Sequence, residues 1–162
     1  MTGSSWWKGS RGEWYVVAQF AVFILMALGP RRWPGLPEWS HPYDRIGYCA
    51  GGSFILLGGL LMVAGFISLG TNLTILPRPR VKGALVESGT YRIVRHPIYS
   101  GIFFAALGWG MWERSWLLVG YALLLFMVLD VKARREENWL TERFPEYEVY
   151  KKRVKRLIPY IY

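Results

Sequence analysis

The sequence predicts an all-α fold: an integral membrane helical bundle with about four transmembrane helices and a C-terminal cytoplasmic amphipathic helix. Three observations lead to this prediction. Apolar residues make up 52% of the 162 positions, the nine tryptophans exceed what a soluble chain of this length normally carries, and four uncharged runs alternate with basic segments. We expect a single membrane domain over residues 1–162, with two spans in 1–76 and a functional core in 77–162.

The candidate spans are the uncharged apolar runs at 14–28, 46–69, 98–112 and 116–129. A helix needs about 20 residues to cross about 30 Å of hydrocarbon, so only the second run is long enough by itself. The other runs need tryptophan and tyrosine side chains at the membrane interface, or a thinner bilayer. Buried helices of a soluble protein are the alternative, which this hydropathy pattern disfavours.

The basic residues predict how the spans are oriented. With four spans, sixteen of the 20 lysines and arginines fall on the side that carries both termini and the second loop. By the positive-inside rule, the N- and C-termini therefore lie in the cytoplasm. This topology and attraction to the lipid bilayer account for the formal net charge of +9, so we expect no nucleic-acid partner.

Metal and redox chemistry are disfavoured by the scarcity of suitable side chains. The single cysteine, Cys49, excludes an internal disulfide and a thiolate cluster. With only His41 and His96, a histidine-rich metal site is not expected.

Glycines recur every seven residues in the second run, at Gly51, Gly58 and Gly65. At helical pitch they form a flat strip that lets another helix approach closely. Helix packing is the favoured interpretation, and the wall of a ligand pocket is the alternative. The strip does not reveal the oligomeric state, because it would also suit a contact between protomers.

A basic and aromatic stretch, YRIVRHPIYSG, leads into the third run. Pro97 suits the first turn of a helix and moves His96 out of the helical conformation. The free N–H groups of that helix start, with Arg95 and His96 beside them, favour an anionic group such as a carboxylate or phosphate. A basic juxtamembrane anchor is the alternative interpretation.

Carboxylates follow the fourth run in a charged helix, VKARREENWLTERF. The third and fourth runs form a tight antiparallel hairpin, so we expect His96 and Glu137 to be neighbours although 41 positions separate them. Donors on one side and carboxylates on the other complement an amino-acid-like moiety. A solvated face of alternating charges is the alternative.

The tail PEYEVYKKRVKRLIP predicts the amphipathic helix, because Tyr147, Tyr150, Val154 and Leu157 recur at helical spacing. Its basic residues favour a position on the cytoplasmic membrane surface.

Three segments in this order carry a resemblance: LVESGTYRIVRHPIYSG, then REENWL after the hairpin, then FPEYEVYKKRVKRLIP. They resemble the isoprenylcysteine carboxyl methyltransferase family and its wider group of membrane methyltransferases, which includes phospholipid N-methyltransferases. The resemblance covers roughly 81–162 and implies S-adenosylmethionine as cofactor. It also implies a lipophilic, membrane-borne methyl acceptor whose reactive group is a carboxylate, an amine or a thiol.

The resemblance also assigns roles to residues. Glu137, helped by Glu136, would bind the ammonium of the cofactor's methionine part. The family's arginine for the substrate carboxylate falls at Ala133, so the neighbouring Arg134 is the candidate catalytic residue. With Arg95 added from the basic stretch, the expected cofactor-binding set is Gly83, Ala84, Leu85, Val86, Tyr91, Arg95, His96, Pro97, Ile98, Tyr99, Glu136 and Glu137.

Two other functions stay open on the sequence. Membrane sterol-type reductases also carry an R-H-P-x-Y stretch and would transfer hydride from NADPH, but they usually have many more spans. A non-catalytic scaffold with a lipid-docking tail is the other alternative, and it would not need the two adjacent glutamates.

Overall fold

The computed structural model describes residues 12–70 and 84–162. Its described part is helical, and the one strand-like pairing within it is a parallel bridge between Val94 and Lys155. The all-α prediction is therefore confirmed. The helices are α1 (Glu13–Leu28), α2 (Tyr43–Leu69), α3 (Pro97–Trp112), α4 (Trp116–Arg143) and α5 (Tyr147–Arg153), with a 3₁₀ turn at Gly89–Arg92.

The fourth predicted span and the charged helix after it are one element. Helix α4 runs for 28 residues without a break, from Trp116 to Arg143. The hydroxyl of Ser115 caps it by accepting a hydrogen bond from the Leu118 N–H. Its first half is apolar and its second half carries the charges, so it reaches beyond the hydrocarbon without ending. This continuity holds the predicted carboxylates rigidly at the end of the hairpin.

Two helices, α2 and α4, are long and apolar enough to cross a membrane. Helix α1 is a shorter apolar helix, and α3 has 16 residues. Their outward surfaces carry large apolar side chains that are more than half exposed, for instance Phe20, Leu56, Ile67 and Leu123. Such a surface suits hydrocarbon better than water, while the count of four spans stays a prediction.

The glycine strip of α2 packs on α3. A Cβ atom added to Gly58 would lie 2.6 Å from both the Gly101 carbonyl oxygen and the Ala105 nitrogen. One added to Gly51 would lie 2.7 Å from the Gly108 carbonyl oxygen. The backbones are thus too close for any side chain, and the interpretation of the strip as a helix contact is confirmed.

Helix α4 packs on α3, and α1 packs on α4. Phe103 and Phe104 of α3 meet Leu118 and Leu125 of α4 in a buried apolar core, to which α1 adds Met26. Three residues, Glu113, Arg114 and Ser115, link α3 to α4 and close the predicted hairpin. The hairpin places the start of α3 beside the charged half of α4.

The tail differs from the prediction, because its helix ends at Arg153. Val154 and Leu157, expected on the helix, lie in a non-helical segment. The carbonyl oxygens of that segment accept hydrogen bonds from the backbone N–H groups of Arg95 and His96 instead. The apolar side of α5 is also turned inward, since Tyr147 is only 1% exposed. A position of this tail on the membrane surface stays a prediction.

Replacing Gly58 with alanine tests the α2–α3 contact. We expect a loss of about 1–3 kcal/mol in stability, because the added methyl forces the two backbones apart. Thermal unfolding of the detergent-purified protein measures it. Gly59→Ala is the matched control: a Cβ there has no neighbour within 4 Å, so the transition should be unchanged or slightly raised. Equal transitions in the two variants would contradict the tight packing.

Candidate functional site

The predicted basic stretch and the predicted carboxylates meet at one end of the bundle. Arg95 and His96 precede α3, Glu136 and Glu137 lie in the charged half of α4, and the C-terminal segment closes the third side. His96 has φ −124° and ψ 66°, outside the helical region, and Pro97 begins α3 as expected. The His96 side chain is therefore free to face α4.

Glu137 is the centre of this site. Its side chain is buried, and its Oε1 accepts a hydrogen bond from Arg95 Nε at 2.8 Å and lies 3.2 Å from His96 Nε2. Its Oε2 accepts from Arg156 Nε at 3.1 Å. The expected proximity of His96 and Glu137 is confirmed. The buried carboxylate is stabilised because these donors replace the water it has lost.

Arg95 also connects the site to the tail. Its Nη1 donates to the carbonyl oxygens of Lys151, at 2.7 Å, and Val154. The guanidinium thus bonds one carboxylate of α4 and the last turn of α5 at once. The fork of an arginine allows this, because its N–H groups point in fixed and different directions.

Glu136 lies in a second group of contacts, formed with Tyr99. The Tyr99 hydroxyl donates to Glu136 Oε2 at 2.9 Å, and the Tyr99 ring stacks on the His96 ring at a centroid distance of 5.3 Å. His96 Nδ1 lies 3.8 Å from the same Glu136 oxygen. Among the described residues, Glu136 Oε1 accepts no hydrogen bond. This oxygen is the available acceptor of the site.

Three tyrosines surround the carboxylates, and burial raises the pKa of Tyr91, Tyr147 and Tyr150 above the usual range, so all three phenols are neutral. Tyr150 donates its hydroxyl to the Tyr91 carbonyl oxygen at 2.6 Å. The Tyr147 hydroxyl is buried and, within the described residues, has no hydrogen-bond partner. Such a group is costly unless something binds it.

The other predicted site residues fall on two segments of the chain. Pro97 and Ile98 form the first turn of α3, and 84–86 form a non-helical segment ahead of the 3₁₀ turn. Gly83 lies outside the described residues. Ala133, the position of the family's substrate-carboxylate arginine, is fully buried.

The Arg134 side chain has different neighbours from those of Glu136 and Glu137. Its side chain is 58% exposed, and its Nε donates to Asp130 at 2.7 Å. Its Nη2 donates to the Tyr162 hydroxyl, which in turn donates to Asp130. Its connection with Glu137 is indirect, through Asp130 and Arg156.

Four residues that interact with the predicted site residues were not identified from the sequence: Asp130, Lys132, Tyr147 and Arg156. Helical spacing predicts that Tyr147 lies on the apolar side of a helix, and no sequence pattern indicates a role for its hydroxyl. Lys132 is only 3% exposed and donates to Gln19 of α1 at 2.8 Å, which no local pattern indicates. Arg156 reaches Glu137 from the non-helical segment that follows α5.

In this site Arg95 and Arg156 pair with the Glu137 carboxylate. Glu136 Oε1 and the Tyr147 hydroxyl have no hydrogen-bond partner among the described residues. This arrangement complements a zwitterion through charge-assisted hydrogen bonds. In residues 12–70 and 84–162, no group of three or more potential metal ligands occurs.

Comparison with known proteins supports the resemblance found in the sequence. A family model described as phospholipid methyltransferase matches residues 46–147. A cobalt-zinc-cadmium resistance protein of Cupriavidus metallidurans is 30% identical over 152 residues, covering 91% of this chain and 62% of that protein. Protein-S-isoprenylcysteine O-methyltransferase of Schizosaccharomyces pombe is 33% identical over 112 residues, covering 67% of this chain and 48% of that protein.

A solved structure has the same fold. It is that of the eukaryotic intramembrane Ras methyltransferase, isoprenylcysteine carboxyl methyltransferase, with a TM-score of 0.64 and 25% sequence identity. The match covers 94% of this chain and 54% of that one. The chain thus spans about half the length of the relatives it matches. These likenesses and the apolar helices α2 and α4 make it an integral membrane protein.

Arg95→Met tests whether the buried ion pair supports the site. Removing one partner leaves Glu137 buried with fewer donors, so we expect a loss of about 3 kcal/mol or more in stability. Arg134→Met is the matched control, since the Arg134 side chain is 58% exposed and its charge is screened by solvent. Thermal unfolding in detergent compares them, and a larger loss in the control would overturn this assignment.

Proposed function

The chain belongs to the phospholipid methyltransferase family, and on this basis we propose that it is a membrane methyltransferase that uses S-adenosylmethionine. The observation that carries the proposal is the cluster of His96, Tyr99, Glu136 and Glu137 between the start of α3 and α4. The acceptor is a lipophilic, membrane-borne molecule with a carboxylate, amine or thiol, as the named relatives suggest.

The carboxylates fit the ammonium of the cofactor's methionine part. A carboxylate offers about four acceptor positions, and three on Glu137 are taken by Arg95, His96 and Arg156. Glu137 can therefore accept one further N–H, on Oε2. Glu136 can accept more, because its Oε1 is not used by any described residue. We assign the ammonium to these two oxygens together.

The Tyr147 hydroxyl is the second feature that fits a bound polar ligand. It is fully buried beside the carboxylate cluster and has no partner among the described residues. A phenol is both a donor and an acceptor, so it can pair with the carboxylate or the ammonium of a methionine part. We therefore add Tyr147 to the cofactor-binding set, with Tyr91, His96 and Tyr99.

When bound, the cofactor supplies a methyl group that is already activated on a sulfonium centre. The protein then has to hold the acceptor in line with that methyl group and exclude water. A carboxylate or thiolate acceptor needs no base, whereas an amine must first lose a proton. His96 and Glu136 are the groups near enough to receive such a proton.

We also propose the orientation that the basic residues indicate, with both termini in the cytoplasm and four spans. The start of α3 then faces the cytoplasm, where a water-soluble cofactor enters. A lipophilic acceptor reaches the same site from the bilayer, between helices. Cysteine accessibility of single-cysteine variants in vesicles would report each terminus.

Calorimetric titration of the detergent-purified protein with S-adenosylhomocysteine tests the cofactor. We expect micromolar binding, weakened about tenfold or more by Glu136→Gln and by Glu137→Gln through loss of a charge-assisted bond. Glu113→Gln, at the other end of α3, is the control and should bind normally. Binding of NADPH in place of S-adenosylhomocysteine would favour a reductase, and binding of neither a scaffold.

Tyr147→Phe tests the unpaired hydroxyl. We expect unchanged or slightly higher thermal stability, because a buried group without a partner is removed, and about fivefold weaker S-adenosylhomocysteine binding. Tyr150→Phe is the matched control. It removes the bond to the Tyr91 carbonyl oxygen, so stability should fall by about 1 kcal/mol. A clear loss of stability in Tyr147→Phe would mean that the hydroxyl already has a structural partner.

A further inference from the structure

Lys132 is a buried cation that the proposed cofactor site does not use. Its side chain lies in the contact between α4 and α1, and the residue is only 3% exposed. Its one hydrogen-bond partner among the described residues is the amide oxygen of Gln19, at 2.8 Å. Gln19 is itself buried.

A buried ammonium normally has a carboxylate as partner, because an unpaired charge loses much more hydration energy than a neutral amide returns. No carboxylate of a described residue lies within ion-pair distance of Lys132 Nζ. Glu136, four residues later in α4, attracts the Lys132 ammonium electrostatically, but its hydrogen bond is with Tyr99. The positive charge at Lys132 is therefore only partly compensated.

This charge lies at the edge of the proposed site. Lys132 Nζ is 4.8 Å from the centre of the Tyr99 ring, and the same ring contacts His96 and Glu136. On the other side is α1, whose outer surface exposes Val17 and Phe20. Lys132 therefore lies between Gln19 of α1 and the Tyr99 ring.

We propose that Lys132, held in place by Gln19, binds the anionic group of the methyl acceptor and thereby selects acceptors that are already deprotonated. This inference rests on the proposed function. An anion that enters beside α1 replaces the Gln19 oxygen and completes the ion pair that Lys132 lacks. An ammonium-bearing acceptor would instead meet a like charge in a poorly hydrated place.

The balanced reaction agrees with such a choice. A lone pair of the acceptor carboxylate forms the new O–C bond to the methyl carbon, while the S–C bond breaks and its electron pair stays on sulfur. One negative and one positive charge become two neutral products, so no proton moves and no base is needed. The neutral ester no longer attracts Lys132, which favours its release.

Lys132 competes with Arg134 for this role. Arg134 is exposed and already paired with Asp130 and Tyr162, so an acceptor would have to displace two partners there. Lys132 has a single hydrogen-bond partner, the neutral amide of Gln19, is attracted by Glu136 without a direct ion pair, and lies against Tyr99. The two residues can be separated by experiment, because they point to different surroundings.

The test uses the full chain in detergent and three acceptors that each carry one dodecyl tail. The carboxylate is (dodecylthio)acetate, written dodecylthioacetate below, the thiol is dodecanethiol and the amine is dodecylamine. Calorimetry first measures S-adenosylhomocysteine binding in wild type, Lys132→Met, Lys132→Arg, Gln19→Glu and Arg134→Gln. The affinity for dodecylthioacetate is then measured with S-adenosylhomocysteine at saturation. Methyl transfer from labelled S-adenosylmethionine gives KM and kcat for each acceptor.

We expect wild type to bind dodecylthioacetate more tightly than dodecylamine. Lys132→Met should raise both the Kd and the KM for dodecylthioacetate by about tenfold or more. Lys132→Arg should restore most of the lost affinity. Gln19→Glu supplies Lys132 with a fixed carboxylate, so it should weaken the acceptor in the same way. S-adenosylhomocysteine binding should be unchanged throughout, and Arg134→Gln should match wild type.

Unchanged carboxylate binding in Gln19→Glu would overturn the inference even if Lys132→Met fails to fold. A loss confined to Arg134→Gln, or equal binding of carboxylate and amine by wild type, would overturn it too. These results differ from failure of the proposed function, in which wild type itself does not bind S-adenosylhomocysteine.

Discussion

The buried carboxylate of Glu137 is the constraint on which the end of the molecule depends. A charge that is only 3% exposed must be paired, and its partners come from three distant places in the chain: Arg95, His96 and Arg156. Satisfying it brings the start of α3, the charged half of α4 and the C-terminal segment together. Helix α5 ends at Arg153, and the non-helical residues after it reach both Glu137 and the backbone of Arg95.

Most of the architecture could be predicted because it depends on local properties. Uncharged runs, the Pro97 helix start and the short turn after Glu113 each act over a few residues, and together they predicted that His96 and Glu137 meet. The end of the tail helix could not be predicted. The helical spacing of Tyr147 and Tyr150 extends to Leu157 in the sequence. In the structure, however, the backbone of Lys155 pairs with that of Arg95, and the helix does not continue. Tertiary hydrogen bonds of this kind leave no periodic trace in the sequence.

The contact between the glycines of α2 and α3 could be predicted in part. Spacing of seven at Gly51 and Gly58 indicated a helix contact but did not identify the partner. The partner carries the same spacing, since Gly101 and Gly108 of α3 are the residues that face Gly58 and Gly51. Matching repeats in two apolar runs were therefore an available signal.

The two adjacent glutamates are placed in different surroundings by one step along α4, which rotates successive side chains by about 100°. Glu137 faces the start of α3 and the tail, where its lone pairs are largely used by the fold. Glu136 faces Tyr99 on the side of Lys132 and keeps an unused oxygen. A charge already bound by three donors stabilises the structure and responds weakly to a ligand, whereas one with a single donor is ready to accept another. The resemblance gave Glu137 the leading role in ligand binding, whereas the surroundings of the two side chains leave one free acceptor position on Glu137 and a whole oxygen on Glu136. The proposed contact with the ammonium is therefore shared, and Glu137 also has a structural task.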